Sequence, residues 1–66
     1  MNENILVREP AFMDVYEVSE MLGVSKSSAY KVMKSLNNEL NSKGFKTLAG
    51  KVSRQYFNEK FYGMKA

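Results

Sequence analysis

Two helically spaced apolar stripes lie either side of three residues, Gly23-Val24-Ser25, and this constrains the chain more than anything else in it. Val15, Val18, Met21 and Leu22 form the first stripe, and Ala29, Val32, Met33, Leu36 and Leu40 the second. Amphipathic helices joined that tightly must fold back on each other and bury a shared seam. Val18, Leu22, Val24, Ala29 and Val32 fit that seam. Ser19 is the small residue where the backbones approach, and Gly23 supplies the turn.

The boundaries follow from capping chemistry. Asp14 is an N-cap, with Glu17 three residues on to reach back to it, and Met13 and Val18 have hydrophobic-staple spacing. Ser25 caps a second helix over 26–43, which Gly44 stops after Lys43. Phe45, Thr47 and Ala49 then alternate with Lys46 and Leu48, and Gly50 allows a reversal, which predicts a hairpin with strands near 45–48 and 51–52. Ser53 caps a last helix to about residue 61, whose Tyr56, Phe57 and Phe61, with Phe45 and Tyr62, should cover the open side of the helix pair. The expected fold is mainly α with a small β-hairpin: a winged helix-turn-helix of about three helices over 13–62. Residues 1–12 form a flexible arm, in which Ile5-Leu6-Val7 either packs on the domain or pairs as a short strand, and 63–66 a frayed tail.

Of 66 residues none is cysteine and none histidine. Disulfides, thiolate metal sites and the commonest general base are thereby excluded. No apolar run approaches the roughly 20 residues of a membrane span, and the first ten residues lack a signal pattern. Glu17, Glu20 and Glu59 have no partner carboxylate at acid–base spacing and read as solvated faces. A cytoplasmic protein that is not an enzyme and needs no cofactor is expected.

The net charge of +3 conceals a strong asymmetry. Met1 to Ser25 holds one base, Arg8, against five acids, whereas Lys26 to Arg54 holds seven bases against one acid, Glu39. Such a division suggests a central surface that faces a polyanion. The apolar offsets and the glycine together match the DNA-binding helix-turn-helix pattern, with Ser19 standing where alanine or glycine is usual. The residues left outside the seam are Lys26, Ser27, Tyr30, Lys31 and Lys34. A helix of this kind lies in the major groove with its first turn toward the base edges. Lys26, Ser27, Tyr30 and Lys31 are the base-edge candidates, beside the capping Ser25, and Lys34 the phosphate candidate. Tyr30 could equally fold over the core beside Met33. Lys46, Lys51 and Arg54 surround the hairpin tip as a wing would, and Arg54 could enter a minor groove. Double-stranded DNA is the expected partner.

The run Val18-Ser-Glu-Met-Leu-Gly-Val-Ser-Lys-Ser-Ser-Ala-Tyr-Lys31, followed by Leu36-Asn37-Asn38-Glu39-Leu40, Lys43-Gly44-Phe45, Gly50-Lys51-Val52-Ser53 and Tyr56-Phe57-Asn58-Glu59-Lys60-Phe61-Tyr62, resembles a known group. It is similar to the excisionase-like or MerR-like winged helix-turn-helix proteins of Gram-positive mobile elements. The resemblance implies a DNA-bending accessory factor or a small transcriptional regulator of a prophage, integrative element or pathogenicity island. An integrase, or a second copy on adjacent sites, would be a further partner. It also implies groove-reading roles for Lys26, Ser27, Tyr30 and Lys31, and wing roles for Lys51 and Arg54. Relatives often carry proline before the last helix, where this chain has Ser53. The alternative is a small phage-type interaction module that binds a host protein, for which the acidic first helix and Met64 leave room.

Overall fold

The structure is a computed structural model that describes residues 10–66. In chain order it contains β1 (Phe12–Met13), α1 (Val15–Leu22), α2 (Lys26–Ser42), β2 (Val52–Ser53) and α3 (Arg54–Lys60). This is a mainly α architecture of three helices with one two-stranded antiparallel pair, of a small winged-helix-like kind.

Each helix begins on the residue that its cap chemistry selects. The Asp14 carboxylate accepts from the Glu17 N–H at 2.9 Å, and the staple residues Met13 and Val18 are fully buried. Ser25 Oγ accepts from the Ser28 N–H, and Ser53 Oγ from the Tyr56 N–H, both at 3.2 Å. Gly23 ends α1 in the left-handed region, at φ 68. There the Ser19 carbonyl accepts from the Gly23 and Val24 N–H groups, while Ser19 Oγ donates to the Val24 carbonyl at 2.6 Å. The unusual serine therefore satisfies the turn's own backbone. At the end of α2, the Gly44 and Phe45 N–H groups close onto the Asn41 and Leu40 carbonyls, each at 3.0 Å.

α1 packs on α2, and Met33, Leu36 and Leu40 continue the seam toward Val52, Tyr56 and Phe57. Full burial of side chains such as Met33 or Phe57 stabilises by about 1.5–3 kcal/mol each. Val18 and Ala29 lie in the seam as expected, and Leu22 and Val32 are half-buried. Val24 is 37% exposed rather than buried in the seam, and its N–H and C=O both serve the turn.

The strand pairing departs from the expected 45–48 with 51–52 hairpin. β2 pairs instead with β1, Phe12 opposite Ser53 and Met13 opposite Val52. Residues 45–50 form no strand, and several of their polar groups are engaged by α2 instead. The Phe45 N–H closes that helix, Thr47 Oγ1 donates to Asn41 Oδ1 at 3.1 Å, and Asn37 Nδ2 donates to the Leu48 and Lys51 carbonyls at 3.4 and 2.7 Å. Only a turn remains: the Lys51 N–H donates to the Leu48 carbonyl at 3.1 Å, with Gly50 at φ 75.

Phe45, at 59% exposure, and Tyr62, fully exposed, do not join the aromatic cover that Tyr56, Phe57 and Phe61 provide. The expected fraying of 63–66 also differs from what is found. Asn58 holds Ala66 through both its amide atoms, and Met64 lies against the core. Most of the expected arm, including Ile5-Leu6-Val7, lies outside the described residues, while Pro10 to Phe12 run alongside Ser53 and Arg54. Among the described residues no helix is long and apolar enough to cross a membrane.

Candidate nucleic-acid interface

The rotation of α2 sorts its residues by side. With Ala29, Met33, Leu36 and Leu40 buried, the roughly 100° step per residue turns Ser27, Lys31, Lys34 and Asn38 toward solvent on the opposite side and Tyr30 toward the adjoining flank. Tyr30 is 51% exposed, which answers the question of whether it folds over the core. Lys31 and Lys34 are exposed and make no ion pair among the described residues.

The leading turn of α2 is organised by hydroxyls. Ser25 Oγ lies 3.2 Å from both Ser27 Oγ and Ser28 Oγ, so its first duty is to the cap. The Lys26 ammonium sits over the exposed Tyr16 ring, 4.7 Å from its centroid. Such an exposed cation–π contact contributes about 0.5–1 kcal/mol and holds the charge at the α1–α2 junction.

Lys51 ends the 48–51 turn, and Asn37 fixes that turn to the flank of α2. The sequence reading missed Asn37; its sole signal is a polar residue at the edge of the α2 apolar stripe. Lys46 is exposed but borders a different concavity, with Phe12, Lys43, Phe45 and Tyr56.

Arg54 corrects the expected wing. It is only 9% exposed, and its guanidinium grips both carboxylate oxygens of Glu17, one at 2.9 Å, while Nε donates to the Pro10 carbonyl at 2.7 Å. Its backbone N–H donates to the Ala11 carbonyl at 2.8 Å. This bidentate geometry commits the charge internally, so Arg54 is not presented to a groove. Glu17, expected to reach back to Asp14 and face solvent, is drawn to Arg54 instead.

A second polar cluster joins α2 to α3. Tyr56 OH donates to Glu39 Oε1 at 2.6 Å, Lys60 Nζ lies 3.4 Å from the same oxygen, and Lys43 Nζ donates to the Tyr56 hydroxyl at 3.3 Å. The Tyr56 hydrogen bond, helped by Lys60 and Lys43, holds the Glu39 carboxyl below its ordinary range. Among the described residues no group of three or more carboxylates, histidines or cysteines could hold a metal ion.

Over 48 residues the chain is 31% identical to the ICEBs1 excisionase of Bacillus subtilis, a match spanning 73% of this chain and 75% of that protein. The chain belongs to the excisionase family. No family model matches the sequence, and no solved structure matches it. Of the two resemblances the sequence carries, excisionase-like and MerR-like, this match supports the first. In this member of the family, then, Ser27, Tyr30, Lys31 and Lys34 share one face of α2, Lys51 stands on a turn tied to that helix, and Arg54 and Glu17 serve the scaffold.

Proposed function

We propose that this chain binds double-stranded DNA sequence-specifically and acts as a recombination directionality factor of a mobile element. In this reading α2 enters the major groove. Lys26, Ser27, Tyr30 and Lys31 meet base edges, Lys34 meets a phosphate, and Ser25 presets the leading turn by capping it. The 48–51 turn carries Lys51 to the neighbouring backbone or groove, and Lys46 adds longer-range charge.

One observation supports this reading above the others. Lys31 and Lys34 project from the side of α2 opposite the buried seam, with the exposed Tyr30 on the adjoining flank, and neither lysine is neutralised by a carboxylate among the described residues. A helix that served only the core would not need that face. The family likewise favours a recombination role over promoter regulation, with the element's integrase as the protein partner.

Selection of duplexes from a randomised library, followed by gel shifts across a salt series, tests the binding. An enriched sequence is expected, with log affinity falling by about 0.9 per phosphate contact per log unit of salt. Absence of any preference over random duplex at moderate salt would overturn the reading. Excision of an element, scored by its rejoined chromosomal junction with and without the chain, tests the recombination role.

A further inference from the structure

We propose that the cleft between the C-terminal end of α2 and α3 is a protein-docking groove, and that its occupant is an acidic peptide segment of another protein, anchored by a bulky apolar side chain. The proposal is independent of the DNA-binding reading above. The cleft has a volume of about 380 Å³ and is floored by Phe12, Leu40, Phe45 and Tyr56, with Lys43 and Lys46 on the wall that follows α2.

Three observations converge on that occupant. The first is an aromatic ring that the fold holds outward. Gly44 turns the chain at φ 90, and the Phe45 N–H is fixed to the Leu40 carbonyl at 3.0 Å, yet Phe45 is 59% exposed. A wet ring on a tied backbone can be covered at little cost in backbone entropy. Leu40 and Tyr56 beneath it belong to the buried core, so an inserted apolar side chain extends that core.

The second is charge. Lys46 is exposed and, among the described residues, makes no ion pair or hydrogen bond. The Lys43 ammonium is held over the Tyr56 ring, 5.0 Å from its centroid. Two ammonium groups beside an apolar floor complement carboxylates that flank an apolar side chain. The facing wall carries Glu59, to which Gln55 Nε2 donates at 3.2 Å. That carboxylate repels a continuous polyanion such as single-stranded nucleic acid, whereas a peptide can set its own carboxylates at the lysine wall alone.

The third is position. Leu40 lies on the buried side of α2, opposite Lys31 and Lys34, and Phe12 and Tyr56 come from β1 and α3. Of the residues placed toward a duplex only Lys46, which supplies long-range charge, lines this cleft. Peptide and DNA can therefore be held at once.

The experiment pans a phage-displayed library of short random peptides against the full chain without DNA and measures the enriched peptides by fluorescence anisotropy. Enriched sequences should share a bulky apolar residue flanked by aspartate or glutamate. Phe45→Ser should weaken their binding by about tenfold or more. Lys46→Glu should weaken it as well, and should bind better a version of the peptide with lysines in place of its acids. Phe45→Ser should keep the wild-type melting temperature and the wild-type DNA affinity, which separates the groove from the fold and from the DNA-binding reading. Failure to enrich any peptide, or enriched peptides that bind both variants as they bind the wild type, would overturn the groove. Three results would overturn its occupant: displacement of the peptide by an oligothymidylate strand, which assigns the cleft to nucleic acid; a dimer lost in Phe45→Ser, which assigns it to a second copy; and tighter peptide binding by Leu6→Ser, which assigns it to residues 1–9 of the chain itself.

Discussion

Arg54 and Glu17, thirty-seven positions apart, meet in a two-pronged ion pair that ties the first turn of α3 to the first turn of α1. Arg54 also holds the Pro10 carbonyl, so one side chain fastens three segments. The Arg54 side chain is 11% exposed and that of Glu17 35%.

Removing one partner should therefore cost stability rather than DNA contact. Loss of a fully buried pair costs about 3–5 kcal/mol, and the solvent around Glu17 lowers that to about 2 kcal/mol. Glu17→Gln should lower the melting temperature by about 8–16 °C, at 4–8 °C per kcal/mol for a domain of this size. Glu17→Leu combined with Arg54→Leu should recover part of the loss. Thermal unfolding checks this, and gel shifts well below the melting point should match wild type.

Glu39 makes stability sensitive to acid. Its carboxyl is held below the ordinary 4.5, first by the Tyr56 hydroxyl and then by Lys60 and Lys43. Such a group stabilises the fold fully above its unfolded value, and the stabilisation is lost as pH falls through the lower, folded value. Denaturant midpoints should thus decline below about pH 4.5, and Glu39→Gln should flatten that part of the decline. Tyr56→Phe, which removes the largest cause, should flatten it partially.

Lysines of the proposed interface should behave oppositely to Arg54. Lys34→Ala and Lys51→Ala should each reduce the salt slope of DNA binding by about one and weaken affinity for all sequences. Lys31→Ala, which removes a base-edge contact, should relax specificity at one position and cost about 1–3 kcal/mol. None of these changes should shift the melting temperature, since all three side chains are exposed.

Gly23 separates conformational cost from crowding. Its φ is 68, and a Cβ added there would meet nothing within 4 Å. Gly23→Ala should destabilise by about 1–2 kcal/mol through the left-handed backbone alone. Gly23→Asn, which tolerates that region better, should lose less. Calorimetry on the two variants compares them directly.

What was legible in the sequence is what is written within four or five residues. Asp14, Ser25 and Ser53 announce helix starts, and Gly23 and Gly44 helix ends, because each cap satisfies a backbone group one turn away. The free face of α2 was legible for the same reason, since its 3.6-residue period fixes which side chains oppose Met33. The pairing of 12–13 with 52–53 was not, because two-residue strands show no alternation and their partners lie 41 and 39 positions apart. Arg54 misled because a positive charge beside a glycine turn looks the same in sequence whether it meets a phosphate or Glu17. Asn37 was overlooked because an amide that binds main-chain carbonyls leaves no pattern in composition.

The short clasp between β1 and β2 encloses α1, α2 and the basic turn in a single ring of chain. Ring-closure entropy grows only logarithmically, so even doubling the ring would cost about 0.6 kcal/mol. Insertions at the exposed Ala49 tip are thus thermodynamically cheap for the clasp, and the proposed reading surface can diversify in length while the latch behind it holds.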